Sequence, residues 1–207
     1  MISLTKERTT VPNHLDALER VINEVVRPDA ASVDADGVFP RRGVTALGEA
    51  GILGLTVAEP FGGGGSLADA VGVVRRLAEA CGSTAMVVLM HYAAAAVLDG
   101  YGGDEVRSEI GGGRHLTTLA FSEAGSRSHF WTPMSTAVRT EGGIRLDAKK
   151  SWITAAGEAD SYVWSSRPVA ADGPMSLWLV PSGAAGLTAP GRFDGLGLRG
   201  NRSAPVE

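Results

Sequence analysis

The chain has 207 residues, 44% hydrophobic and 20% charged, a globular composition long enough for one large or two small domains. A net charge of -4, with 19 Lys and Arg scattered along the chain, excludes the basic footprint of a nucleic-acid binder. Cys81 is the only cysteine, which excludes an intramolecular disulfide and a thiolate metal cluster.

The first twenty residues, "MISLTKERTTVPNHLDALER", lack the apolar run of a signal peptide, and their acids argue against a transit peptide. With a single cysteine, the expected compartment is the cytoplasm. Leu15, Leu18, Ile22 and Val25 recur at helical spacing, which predicts a helix stopped by Pro28. A second helix starts at Pro40, buries Val44, Leu47 and Ala50, and ends at Gly51. In the third, Ser66 and Asp69 read as a capping-box start, Leu67, Val71, Val74 and Leu77 form one face, and Gly82 is the C-cap. Ser83 then caps "STAMVVLMHYAAAAVLDG" (83–100). That stretch has no polar face and reads as a core helix; interrupted by His91, it falls short of a membrane span, so no membrane insertion is expected.

After "GGGR" (111–114) the pattern changes. "HLTTLAFS", "MSTAVRT", "GIRLDAKK", "SYVWSS" and "MSLWLVP" are strand-like, with Gly, Pro and Asp between them. The expected architecture is α+β: an all-α N-terminal domain over residues 1–114, then an antiparallel β-barrel or sandwich domain over 115–207. The closing segment, "FDGLGLRGNRSAPVE", keeps to turns and strands, so the β layer is expected to need a cover over an edge or face.

Several motifs compete for chemistry. "FGGGGS" (61–66) precedes a helix but lacks the Lys and the spacing of a phosphate loop, so a turn is the better reading. His14, His91, His115 and His129 lack metal-ligand spacing, His91 reads as a core histidine, and no nucleophile elbow is present. Trp131, Trp164 and Trp178 are equally readable as core. Trp152 differs, because on a strand it shares a face with Thr154 in "SWIT", offering a π surface and a hydroxyl to one flat heteroaromatic partner. In "AFSEAGSRS", Ala120 and Ser122 share a face, followed by a Gly-containing turn whose amides suit phosphate oxygens. Together the two stretches suggest a planar ring joined to a phosphate.

In this order and spacing, "VDADGVFPRRGVTALGEAGILGLTVAEPFGGGGSLADA", "LAFSEAGSRS", "KSWIT" and "GLGLRG" resemble the first two domains of the acyl-CoA dehydrogenase superfamily, from about Leu15 onward. The resemblance implies an FAD site. Ser122 would bond the pyrimidine end of the flavin, Leu119 and Phe121 would line its ring, Trp152 would pack against it, and Thr154 would bond near N5, the atom that accepts hydride. Ser128 would meet the cofactor pyrophosphate or the thioester ligand. The implied activity is α,β-dehydrogenation of an acyl-CoA or related thioester.

Ala124, Arg127 and His129 stand where the family has Pro, a small residue and Asp. Arg127 is readable either as a partner for a phosphate of FAD or CoA, and so part of the substrate site, or as a solvated loop charge. The family's third domain, a helical bundle carrying the carboxylate base, has no counterpart in these 207 residues. No catalytic residue is therefore named, and Glu123 belongs to the flavin loop rather than to the role of base. The base is expected in a further domain or in a partner subunit of a homo- or hetero-oligomer, with the electron acceptor unknown. Two alternatives stay open: a flavin-dependent monooxygenase or N-hydroxylase of the same fold, and a non-catalytic, partner-binding half.

Overall fold

A computed structural model describes residues 14–127, 129–169 and 172–207. Helix α1 (His14–Val21) passes through one π-helical turn (Ile22–Val26) directly into α2 (Arg27–Ala35). Pro28 therefore does not stop the helix, contrary to expectation. It sits in the first turn of α2, after the π turn has already interrupted the regular ladder, a position where its missing N–H costs little. Helix α3 (Arg41–Glu49) follows Pro40, buries Val44 and Leu47, and ends before Gly51 at φ +74°.

Helix α4 (Leu67–Ala78) opens on the predicted capping box: the Asp69 amide donates to Ser66 Oγ (3.2 Å) and the Ser66 amide to Asp69 Oδ2 (2.8 Å). Its buried face is Ala70, Val73 and Leu77, while Leu67 is 81% and Val71 60% exposed. The expected face is thus corrected at Leu67 and Val71, while Leu77 is buried and the half-buried Val74 packs against the core. Positions 67, 71 and 74 match the helical pitch as well as 70, 73 and 77 do, so periodicity identifies the helix and packing chooses the face.

Helix α5 (Gly82–Tyr101) begins at Gly82 behind Cys81, and α4 ends at Ala78 with Glu79 as its C-cap. Neither Gly82 nor Ser83 is therefore a cap. At 20 residues and a mean hydropathy of 1.3, α5 is long and apolar enough to cross a membrane, which corrects the expectation that it falls short. Its buried residues pack against α4 and strand β1 (Thr117–Ala120) as the central helix of the fold. Helix α6 (Asp104–Gly111) completes the helical part.

The remaining strands are β2 (Thr136–Thr140), β3 (Gly143–Asp147), β4 (Lys150–Ile153), β5 (Ser161–Ser166), β6 (Ser176–Pro181) and β7 (Ala204–Val206). They form a three-stranded sheet of order β1-β5-β6 and two pairs, β2-β3 and β4-β7. Three pairings are antiparallel as expected, but β1 runs parallel to β5, with Thr117 opposite Ser161 and Ala120 opposite Trp164. A parallel pair needs a crossover, and residues 121–160 supply it. That crossover carries both candidate motifs.

The two halves share one apolar core running from Leu18 and Leu77 to Trp164 and Val206. Ion pairs across the junction hold them in place: Arg41 meets Glu158 at 2.7 Å and Arg199 meets Asp34 at 2.8 Å.

Candidate functional site

Strand β1 ends at the buried Ala120, and the chain then lies antiparallel against the start of β4. The Ser151 amide donates to the Ser122 carbonyl (2.9 Å) and the Ala124 amide to the Lys149 carbonyl (3.4 Å). "AFSE" and "KSWIT", far apart in sequence, are thereby placed side by side.

A buried ion pair clamps this junction. Lys150 Nζ donates to Glu123 Oε1 (2.8 Å), to the Ser165 carbonyl (2.7 Å) and to Ser165 Oγ (3.0 Å), and lies 5.3 Å from the centre of the Trp164 ring. Glu123 in turn accepts from the amides of Met134 and Ser135, so its carboxylate closes the loop that leaves and re-enters the β layer. Burial pushes the Glu123 carboxyl up, but the bonds from Lys150, Ser135 and Met134 outweigh it and hold the group below its ordinary value. Burial lowers the Lys150 ammonium, which Glu123 offsets only in part. A carboxylate so engaged is no free proton acceptor.

Trp152 lies where β4 departs from regular geometry. The register with β7 shifts between Lys150 and Ile153, and Trp152 takes φ +58°, a left-handed conformation costly for a bulky residue. Its side chain is 62% exposed, whereas Thr154, past the end of the strand, is 5% exposed. The straight-strand argument that put the two on one face is therefore replaced by a bulge, which turns the indole out and keeps the threonine in. Ser122 is exposed beside them. Among the described residues, neither the Ser122 nor the Thr154 hydroxyl has a side-chain hydrogen bond.

Leu119 and Phe121 are half-buried and pack on the cluster of Val57, Ala94, Ala95 and Leu98, at the junction with the helices. Arg127 is exposed at φ +52° with no ion pair among the described residues. Ser128 lies outside the described residues. Beyond it the rings of Phe121 and Phe130 (6.2 Å), Phe130 and Trp131 (5.1 Å), and His129 and Trp131 (5.2 Å) form a chain of contacts along the loop.

The competing motifs resolve differently. His91 is fully buried; the Thr117 amide donates to its Nδ1 (3.2 Å), which leaves Nε2 to donate to the Leu53 carbonyl (3.0 Å). Burial lowers its pKa to about 4, so it is a neutral core residue. "FGGGGS" is a packed turn, since a Cβ at Gly63 would stand 2.0 Å from the Val57 carbonyl oxygen. No group of three metal-ligating side chains occurs among the described residues. Trp164 is core, and the half-buried Trp178 donates to Ser166 Oγ (2.8 Å).

Two residues at the site carry no signal of their own in the sequence. Lys150 is one lysine of a pair, and only burial shows which one enters the core. Phe193 stands in an irregular segment, yet its ring stacks on Trp152, with centroids 3.9 Å apart and planes 17° apart.

Comparison with known proteins follows the same division of the chain. Residues 13–113 match the family model for the N-terminal domain of acyl-CoA dehydrogenase, and residues 118–207 the model for its middle domain. The human mitochondrial short-chain specific acyl-CoA dehydrogenase is 31% identical over 86% of this chain and 45% of its own length. The amino sugar nitrososynthase DnmZ of Streptomyces peucetius is 27% identical over 93% of this chain and 49% of its own. The solved structure of butyryl-CoA dehydrogenase from Megasphaera elsdenii superposes with a TM-score of 0.84 at 18% identity, covering 95% of this chain and 55% of that one, a likeness of fold. The chain spans about half the length of the curated relatives it matches.

Proposed function

This chain belongs to the acyl-CoA dehydrogenase family, and on that premise we propose that it forms the flavin- and acyl-binding part of an FAD-dependent oxidoreductase acting on an acyl-CoA or related thioester. The division into a helical domain over 1–114 and a β domain over 115–207 belongs to the same proposal. The observation that carries it is an outward-facing indole on a strand bonded to the segment of the exposed Ser122, whose hydroxyl, like that of the buried Thr154 two residues beyond the indole, has no hydrogen-bond partner among the described residues. A planar ring with polar edges offers stacking to the indole and hydrogen bonds to hydroxyls at its rim.

In this reading Trp152 is the wall of the ring site, and Ser122 and Thr154 bond the ring's polar edges. Leu119 and Phe121 close its apolar side against the helices. Arg127, together with Ser128, faces the phosphates of the cofactor or of the thioester ligand, where a guanidinium matches phosphate geometry. When bound, the flavin supplies a two-electron acceptor for the hydride that leaves the substrate β-carbon. Glu123 does not remove the α-proton, because Lys150 and two backbone amides occupy its carboxylate. The base is a carboxylate outside the described residues, and the assembly is a homo- or hetero-oligomer.

Titrating the chain with FAD and FMN tests the ring site. We expect a yellow complex, weakened roughly two- to tenfold by Trp152→Ala on the strength of ring stacking alone. A chain that takes up neither flavin overturns the proposal. A second reading, reduced flavin reacting with oxygen in a monooxygenase or N-hydroxylase, draws on the likeness to the nitrososynthase and on the unusual loop of Arg127 and His129. Anaerobic bleaching by acyl-CoA substrates favours dehydrogenation; oxygen-dependent consumption of reduced flavin favours the second.

A further inference from the structure

Trp152 already has an occupant. At a centroid distance of 3.9 Å and an interplanar angle of 17°, the phenyl of Phe193 covers one face of the indole at van der Waals contact, leaving no room for a second ring on that face. The pair lies at the surface, with Trp152 still 62% exposed, so it is not a piece of the core. Phe193 is also loosely held. It sits between Gly191 and Gly195 in a segment without helix or strand, and among the described residues its backbone is fixed by one hydrogen bond, from its amide to the Ser203 carbonyl (3.2 Å). By contrast, Trp152 is held on both sides: Ser151 is bonded to Ser122, and Ile153 is paired with Ala204. The indole is the fixed partner and the phenyl the movable one.

We propose that Phe193 is a specificity-determining residue of the ring site, a displaceable placeholder on the indole face that a planar heteroaromatic ligand uses. This rests on the flavin reading of the same site. An incoming isoalloxazine exchanges one stacking partner of Trp152 for a larger one, while the Ser122 and Thr154 hydroxyls gain the polar edges that a phenyl cannot offer. The exchange selects for ligands that supply both a ring and edge acceptors or donors, since a purely apolar ring gains nothing over the phenyl it replaces. Apparent affinity is lowered by the fraction of molecules in which Phe193 covers the indole, so removing the phenyl tightens binding.

The test compares the wild-type chain with Phe193→Ala and Phe193→Leu, using riboflavin, which carries the ring without phosphate, and FMN. Flavin fluorescence quenching reads affinity, and stopped-flow mixing reads rate. For Phe193→Ala we expect both flavins to bind roughly two- to tenfold more tightly, the factor corresponding to one aromatic pair. Phe193→Leu, which keeps apolar cover without a flat ring, is expected to fall between the two. The wild-type association rate is expected to level off at high flavin concentration, where loss of the phenyl from the indole becomes limiting, and the plateau is expected to vanish in Phe193→Ala. Equal or weaker binding by both variants, with thermal unfolding like that of the wild type, overturns the inference alone and makes Phe193 a second wall of the site. Absence of flavin uptake by all three forms overturns the inference together with the flavin reading.

Discussion

The helical core around α4 and α5 and the crossover between β1 and β5 both bury polar groups, of different kinds and to different ends. In the helical core, His91 stays neutral, with both ring nitrogens bonded to backbone, and Tyr92 donates to the Ile52 carbonyl at 2.6 Å. In the crossover, a full charge pair is buried: Lys150 and Glu123 tie a long irregular loop to the β layer. The helices need only satisfied polar groups, because an apolar face fixes their position. The loop has few apolar anchors, and charge-assisted bonds hold its shape. Close to that fixed frame stand the strained Trp152 and the Ser122 and Thr154 hydroxyls, which have no hydrogen-bond partner among the described residues.

The contrast is broken most severely at the ion pair. Lys150→Met or Glu123→Gln leaves a buried polar group uncompensated, and a loss of about 3–5 kcal/mol in chemical denaturation is expected for either. The double variant is expected to lose less than the sum of the two, since the stranded charge is gone. Additive losses would mean that the two side chains act independently.

The neutral histidine makes an opposite, pH-dependent prediction. Its folded pKa of about 4 lies below the ordinary 6.5, so the unfolded chain binds the proton more readily. The stability from neutral His91 is fully present above pH 6.5 and is lost as pH falls toward 4, by about 3 kcal/mol over that window. Urea denaturation as a function of pH, compared with His91→Gln, isolates it: the variant is expected to show a flatter acid limb, and matching limbs would remove His91 as the cause.

A pair of substitutions, one costly and one nearly neutral, sharpens the comparison inside the helical half. Leu77→Ala, at a fully buried position, is expected to cost about 2–5 kcal/mol. Leu67→Ser, on the same predicted face but 81% exposed, is expected to change stability by less than about 0.5 kcal/mol in the same thermal unfolding experiment. Equal costs would restore the face that periodicity suggested.

The sequence by itself determined the change from helices to strands near residue 114 and the capping box at Ser66, because each depends on residue type at short range. Ala124, Arg127 and His129, where the sequence departs from the family pattern, are the positions at which this chain is expected to differ from its relatives. Packing decided which face of α4 is buried, how the chain passes Pro28, and that β1 lies parallel to β5, since periodicity cannot say which neighbour will cover a surface. The bulge that separates Trp152 from Thr154, the burial of Lys150 and the stacking of Phe193 on the indole belong to the tertiary structure alone. Each joins residues whose partners lie tens of positions away, and no local preference of lysine, tryptophan or phenylalanine selects such a partner.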